Sequence, residues 1–179
     1  MDYPWPEAGT PLEQIATPMP VIDEDRLAAN IARAQAYCDQ HGKAFRPHIK
    51  THKIAAIARQ QLDAGAVGLN CQKVTEAEIF AEAGFDDILI TYNVLGHAKL
   101  ARLKALNSRV AKLAVVADSE VTIAGLASTF SADQPLTVLI ECDTGARRCG
   151  VQTPEAAALL AEQVAAAPGL RFGGIMTYP

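Results

Sequence analysis

Short apolar runs alternate with longer segments of helical periodicity along most of the chain. After the capping residue Asp23, for example, Leu27, Ile31 and Cys38 recur at helical spacing. Thr153 followed by Pro154 predicts the start of an Ala-rich helix. The β-rich runs between the helical segments are residues 21–22, 45–50, 67–71, 87–91, 113–116, 137–142 and 172–178. The pattern therefore predicts strands and helices in strict alternation.

This alternation indicates parallel strands joined by helical crossovers, which defines the α/β class. The run from Thr137 to Ile140 is apolar on both faces, as is typical of a buried parallel strand. Both an open doubly wound sheet and a closed (β/α)8 TIM-type barrel satisfy the pattern. A complete barrel needs about 250 residues, and the sequence has 179. We therefore expect the amino-terminal piece of a longer protein.

Composition and charge exclude several classes of protein. Half of the residues are hydrophobic, a fifth are charged and the net charge is −4, so a disordered chain is excluded. The mild acidity argues against nucleic-acid binding, because such proteins carry a basic face. No apolar run approaches the ~20 residues that cross a bilayer, so no membrane partner is expected.

The cysteines and the amino terminus predict a cytoplasmic location. Cys38, Cys71, Cys142 and Cys149 form no C-x-x-C pair and show no zinc spacing, so we interpret them as reduced thiols. A secretory signal has a cationic start followed by an apolar segment. The first residues of this sequence have neither. We predict an irregular arm over residues 1–17 and one domain over residues 18–179.

Candidate catalytic residues gather where the predicted strands end, which is where parallel α/β folds carry their active sites. Alternation along 45–50 places Arg46, His48 and Lys50 on one face, with Lys50 at the strand end. A lysine aimed into a barrel mouth indicates Schiff-base chemistry, since burial and neighbouring cations favour the nucleophilic free amine. From spacing alone, a solvated lysine at a strand end remains the alternative.

Four segments resemble one enzyme family. They are residues 46–53 (RPHIKTHK), 67–78, 141–151 and 176–178, in the right order and spacing. Together they resemble the D-threonine aldolase / D-serine dehydratase family, whose members have an alanine racemase-like amino-terminal barrel (fold type III). The resemblance implies a TIM-type barrel, present here as an incomplete amino-terminal part of about six βα units.

The resemblance also implies a pyridoxal 5'-phosphate site. Lys50, rather than the neighbouring Lys53, aligns with the family's Schiff-base lysine. Arg148 falls on an arginine near the cofactor ring, and Tyr178 falls on a tyrosine bonded to the ring nitrogen. Gln72 and His48 are predicted to line the pocket. From the residues alone, Arg148 pairing with a carboxylate and Tyr178 packing in the barrel are the alternatives.

By the same resemblance, the protein is a pyridoxal-phosphate-dependent lyase that cleaves D-3-hydroxy amino acids to glycine and an aldehyde. A dehydratase releasing ammonia from D-serine is the alternative within the family. A non-catalytic cofactor carrier, or an inactive fragment, is the alternative outside it. Family members carry a divalent metal, Mn or Mg, whose ligands we place beyond this chain, so no metal ligand is predicted here. A homodimer is expected.

Overall fold

The computed structural model describes residues 5–178, so residues 1–4 of the predicted arm and Pro179 lie outside the described residues. The strands are β1 (Leu69–Cys71), β2 (Asp87–Ile90), β3 (Lys112–Ala117), β4 (Leu136–Asp143) and β5 (Leu170–Tyr178). The α-helices are α1 (Glu24–Gln40), α2 (Ala55–Asp63), α3 (Val74–Glu82), α4 (His97–Asn107), α5 (Glu120–Thr129) and α6 (Pro154–Ala166). Within this range, no helix combines the length and apolar character that a membrane span requires.

All strand pairs are parallel, and the strands follow one another across the sheet in chain order. Helices α3 and α4, α4 and α5, and α5 and α6 contact each other, so these four helices cover the same face. A doubly wound sheet instead reverses its strand order and carries helices on both faces. Sequential order with helices on one face is the arrangement of a (β/α)8 barrel. The predicted α/β class is confirmed.

The helices begin at residues whose side chains accept hydrogen bonds from the first turn. Asp23 accepts from the N–H of Arg26 (3.0 Å), and Thr153 accepts from the N–H of Ala156 (3.2 Å). Such N-caps each contribute about 1 kcal/mol. Both caps were predicted from the sequence and are confirmed.

The core lies between the sheet and its covering helices. Ile90, Val115 and Ile140 are fully buried on neighbouring strands, facing fully buried Leu103 and Leu126 of the helices. Each such side chain contributes roughly 1.5–3 kcal/mol relative to exposure to water. This packing holds the carboxyl ends of the strands at one rim.

Residues 45–50 do not form a regular strand, so the strand predicted there is wrong. The segment lies beside β1, where Phe45 accepts from the N–H of Val67 (2.9 Å) and Pro47 from the N–H of Asn70 (2.8 Å). Only an isolated bridge, between His48 and Asn70, is formed. Pro47 has no N–H to continue the ladder, and the chain then enters a short 3₁₀ turn over Ile49–Thr51. Residues 21–22 form no strand either, and both side chains are exposed.

Gly169, in the turn that joins α6 to β5, should tolerate no side chain. A Cβ there would overlap the carbonyl of Phe130. We expect Gly169→Ala to lower the free energy of unfolding by about 1–3 kcal/mol through overpacking, measured by urea denaturation. The matched control is Gly125→Ala inside α5, where the new methyl group meets Leu100 at an ordinary 3.4 Å. The control should be neutral or stabilising by about 0.5–1 kcal/mol, and an equal loss in both variants would contradict the steric argument.

Candidate functional site

Lys50, Arg148 and Tyr178 converge at the carboxyl rim of the sheet. Lys50 lies in the 3₁₀ turn beside β1, Arg148 in the loop after β4, and Tyr178 at the end of β5. The Lys50 Nζ is 5.8 Å from the centroid of the Tyr178 ring, and the Arg148 Cζ is 4.8 Å from the same centroid. The structure thus brings together two cations and a phenol from distant parts of the sequence.

The Lys50 turn is held by local hydrogen bonds. The Lys50 N–H donates to Nδ1 of His48 (3.3 Å), and the hydroxyl of Thr51 donates to the His48 carbonyl (3.3 Å). Ile49, fully buried, anchors the turn in the core. The Lys50 side chain is exposed, so its amine is accessible to a ligand in the rim.

Lys53 has a different partner from Lys50. Its Nζ lies 3.2 Å from the carboxylate of Glu76, a buried residue of α3. Glu76 also accepts from the N–H of Gln72 (2.8 Å). This ion pair directs Lys53 toward α3.

Gln72 and His48 are adjacent at the end of β1. His48 is half-buried, and its Nε2 is 3.0 Å from the hydroxyl of Thr91. Burial and then the charge of Lys50 lower the pKa of His48, against the opposing influence of the Gln72 side chain and Glu76. The imidazole is therefore held in its neutral form near the lysine.

Arg46 does not belong to this cluster, and its predicted place beside Lys50 is wrong. Its guanidinium pairs with Asp87 at 2.8 Å, and Asp87 also pairs with Lys112 at 3.3 Å. Asp87 and Lys112 are the first residues of β2 and β3, so Arg46 reaches the amino ends of the strands. The acidic start of β2 attracts the long side chain away from the rim, and Arg148 is the cation placed against the Tyr178 ring.

Asp143 organises the loop that carries Arg148. Its carboxylate accepts from the N–H groups of Gly145 (2.9 Å) and Arg147 (3.0 Å) and from the Gln152 amide (2.9 Å). The Gln152 hydrogen bond and these two backbone N–H groups lower the pKa of Asp143. The carboxylate is thus bound to its own loop while Arg148 lies against the Tyr178 ring.

A cluster of three potential ligands lies beside this loop. One donor atom each of Asp118, Glu141 and Cys149 lies within 4.8 Å of the others. Glu141 is 2% exposed, and within residues 5–178 its buried Oε2 has no hydrogen-bond partner. Burial and then Asp118 raise the pKa of Glu141, while Arg148 lowers it. Two carboxylates and a thiol can hold either a divalent cation or a shared proton.

The sequence offered Asp118 only as a candidate helix cap and Thr91 only as a strand-end residue, and it predicted neither as part of the site. Asp118 follows β3 directly and accepts from the Gly150 N–H (3.0 Å), while Thr91 follows β2 and contacts His48. Both are the first polar residues after a buried strand. That position at a strand end is the same signal that singled out Lys50.

Comparison with known proteins identifies a family model and named relatives that this chain matches. The sequence model of the family described as alanine racemase, N-terminal domain, matches residues 22–179. The chain is similar to a D-threonine aldolase from Arthrobacter sp, with 41% identity over 176 residues, covering 98% of this chain and 46% of the relative. It is also similar to a D-threo-3-hydroxyaspartate dehydratase from Delftia sp. (strain HT23), with 38% identity over 165 residues, covering 90% of this chain and 43% of the relative.

Structural comparison gives the same result. The crystal structure of D-threonine aldolase from Filomicrobium marinum superposes with a TM-score of 0.88 at 37% identity, covering 92% of this chain and 44% of that one. The chain spans less than half the length of these relatives. The predicted partial barrel of the alanine racemase type is confirmed.

Proposed function

The chain belongs to the alanine racemase N-terminal domain family, and on that premise we propose that it forms the cofactor-binding barrel of a pyridoxal-phosphate-dependent lyase acting on D-3-hydroxy amino acids. The observation that carries this proposal is the convergence of Lys50 and Arg148 on the ring of Tyr178. Relatives named D-threonine aldolase and D-threo-3-hydroxyaspartate dehydratase support the reaction class.

The residues at the rim fit this cofactor chemically. An exposed amine at Lys50 can bond covalently to an aldehyde carbon. The Arg148 guanidinium offers fixed donors to anionic or aromatic-nitrogen acceptors, and the Tyr178 hydroxyl can donate to a ring nitrogen. When bound, pyridoxal phosphate supplies an electron sink for negative charge that develops on the substrate.

The chain's own contribution is orientation. The buried Ile49 and the hydrogen bond to His48 fix the turn from which Lys50 projects. The Asp143 hydrogen bonds hold the loop that positions Arg148. A reaction at one particular bond of the substrate requires that the bond be held in a reactive alignment, and a rigid rim provides this.

We also propose a metal, an oligomeric state and a substrate for this protein. We place the ligands of a divalent metal, Mn²⁺ or Mg²⁺, outside this chain, and we expect a cytoplasmic homodimer. The substrate in this proposal is a small D-amino acid with a 3-hydroxyl group. Retro-aldol cleavage is the favoured reaction because the D-threonine aldolase from Arthrobacter sp is 41% identical, and dehydration is the second candidate because the Delftia dehydratase is 38% identical.

Product analysis tests the reaction. The full-length protein that contains this chain is saturated with pyridoxal phosphate and Mn²⁺ and is incubated with D-threonine, D-serine or L-threonine. We expect acetaldehyde and glycine from D-threonine at a rate at least about tenfold above pyruvate formation from D-serine, a difference of about 1.4 kcal/mol in activation free energy. L-Threonine is the stereochemical control. Faster pyruvate release would replace the aldolase by the dehydratase, and turnover of none of the three would contradict a lyase.

A further inference from the structure

We propose that Thr91 is a positioning residue for Lys50, acting through a directed chain of hydrogen bonds that fixes the ring of His48. The chain runs from the Lys50 backbone N–H to the His48 ring, then to the Thr91 hydroxyl and the Cys71 carbonyl. Its functional consequence rests on the proposed role of Lys50, but its geometry does not.

The direction of the chain follows from counting protons. The Lys50 N–H donates to Nδ1 of His48 at 3.3 Å, so Nδ1 carries no proton. A neutral imidazole then carries its proton on Nε2, which donates to the Thr91 hydroxyl at 3.0 Å. The single Thr91 hydroxyl proton goes to the Cys71 carbonyl at 3.3 Å. Each donor of these three hydrogen bonds therefore has one acceptor, and the Nε2–H tautomer is the one that satisfies all three.

The far end of the chain is anchored in the sheet. Cys71 is fully buried at the end of β1, and its carbonyl also accepts from the Thr91 backbone N–H at 2.9 Å. Thr91 directly follows β2, which pairs with β1. The orientation of the His48 ring is thereby transmitted from two core strands to the turn that carries Lys50.

Protonation of His48 would break the first hydrogen bond of this network, which runs from the Lys50 N–H to Nδ1 of His48. The imidazolium carries a proton on Nδ1 as well, which would oppose the Lys50 N–H. The charged or polar groups that face the ring are Lys50 on its own turn, the Asn70 backbone in β1, Gln72 after β1, Glu76 on α3 and Thr91 after β2. Glu76 is itself paired with Lys53. Burial and the charge of Lys50 outweigh the opposing effects of Gln72, Glu76 and the Asn70 backbone, so the pKa of His48 lies below its ordinary 6.5.

The sign of the pH dependence follows. Because the folded pKa of His48 is below the unfolded value, the stabilising contribution of the hydrogen-bond chain is present above pH 6.5 and is lost as the pH falls through the lower folded pKa.

Thr91→Val keeps the β-branched shape but removes the hydroxyl, whereas Thr91→Ser keeps the hydroxyl. These two variants separate hydrogen bonding from packing.

Nitrogen-15 NMR of the histidine rings tests the proposal directly at pH 7.5, without cofactor or substrate. We expect His48 of the wild type and of Thr91→Ser to be the neutral Nε2–H tautomer, and Thr91→Val to lose that single state. In the same variants, the dissociation constant for pyridoxal phosphate is measured from the absorbance near ~420 nm that reports its bond to lysine. It should rise about tenfold in Thr91→Val and less than about twofold in Thr91→Ser, as expected for the loss of one partly buried hydrogen bond.

The outcomes separate this inference from the proposed function. The measurement on the wild type needs no variant and no refolding control. An Nδ1–H tautomer of His48 in that measurement would overturn the proposed hydrogen-bond chain. Unchanged cofactor affinity in Thr91→Val would overturn the positioning role. If the wild type shows the expected tautomer but binds no cofactor, the proposed function fails while the hydrogen-bond chain stands.

Discussion

Replacing Lys50 by alanine is expected to abolish the absorbance band near ~420 nm that forms with pyridoxal phosphate, and to lower turnover of D-threonine at least about a thousandfold. The physical reason is the loss of the amine that lies 5.8 Å from the centroid of the Tyr178 ring. The measurement is an absorbance titration of the protein with cofactor, followed by a single-turnover assay of acetaldehyde.

The matched control is the neighbouring lysine. Lys53 is held 3.2 Å from the carboxylate of Glu76 on α3. Lys53→Ala should therefore retain the band, although the free energy of unfolding should fall by about 1–3 kcal/mol because the buried carboxylate of Glu76 loses its cationic partner and keeps only the Gln72 N–H. A band that survives Lys50→Ala but disappears in Lys53→Ala would transfer the role to Lys53, and a band that survives both would end the assignment of this motif.

Gly150→Ala should be the most damaging change in the loop that carries Arg148. Gly150 has a φ of 100°, and a Cβ there would lie 2.5 Å from the Asp143 nitrogen and 2.6 Å from the Cys142 carbonyl carbon. Both obstacles are backbone, so they cannot rotate away. We expect the free energy of unfolding to fall by about 2–4 kcal/mol, from strain at positive φ combined with overpacking.

A second glycine in the same loop separates strain from steric overlap. Gly145 also has a positive φ, 141°, but a Cβ there meets no atom within 4 Å. Gly145→Ala should cost less than Gly150→Ala, about 1–3 kcal/mol from the backbone conformation alone. The free energies of unfolding of the two variants are compared by urea denaturation. Cofactor affinity is measured as well, because displacement of Gly150 would also disturb the hydrogen bond from its N–H to Asp118. Equal losses in the two variants would exclude the steric contribution.

The periodicity of apolar residues was sufficient for the α/β class, and it located every regular strand of the described sheet. It failed at residues 45–50. The residues there favour a strand, but Pro47 donates no ladder hydrogen bond and His48 accepts the Lys50 N–H to close a turn. Alternation along an assumed strand therefore misplaced Arg46, whose guanidinium is held by Asp87 at the opposite end of the sheet.

The site was predictable as a set of strand-end residues but not as a geometry. Lys50, Arg148 and Tyr178 were identified from the motifs that carry them, and their common position at one rim follows from parallel strand order. The contacts made by Thr91 and Asp118 were not predictable, because these are polar residues of ordinary types whose significance depends on long-range contacts. Thr91 lies 43 positions from His48 along the chain, yet their side chains are 3.0 Å apart.

The sequence by itself determined the alternation of strands and helices and the caps at Asp23 and Thr153, whereas the choice of Lys50 came from the resemblance of its motif to a known family. The alternation and the caps are local properties, set by spacing and by the nearest neighbours along the chain. The tertiary structure decided the sequential strand order, the turn at Lys50, the diversion of Arg46 and the grouping of Asp118 with Glu141. Those depend on which strands lie side by side, and only folding the whole chain fixes that.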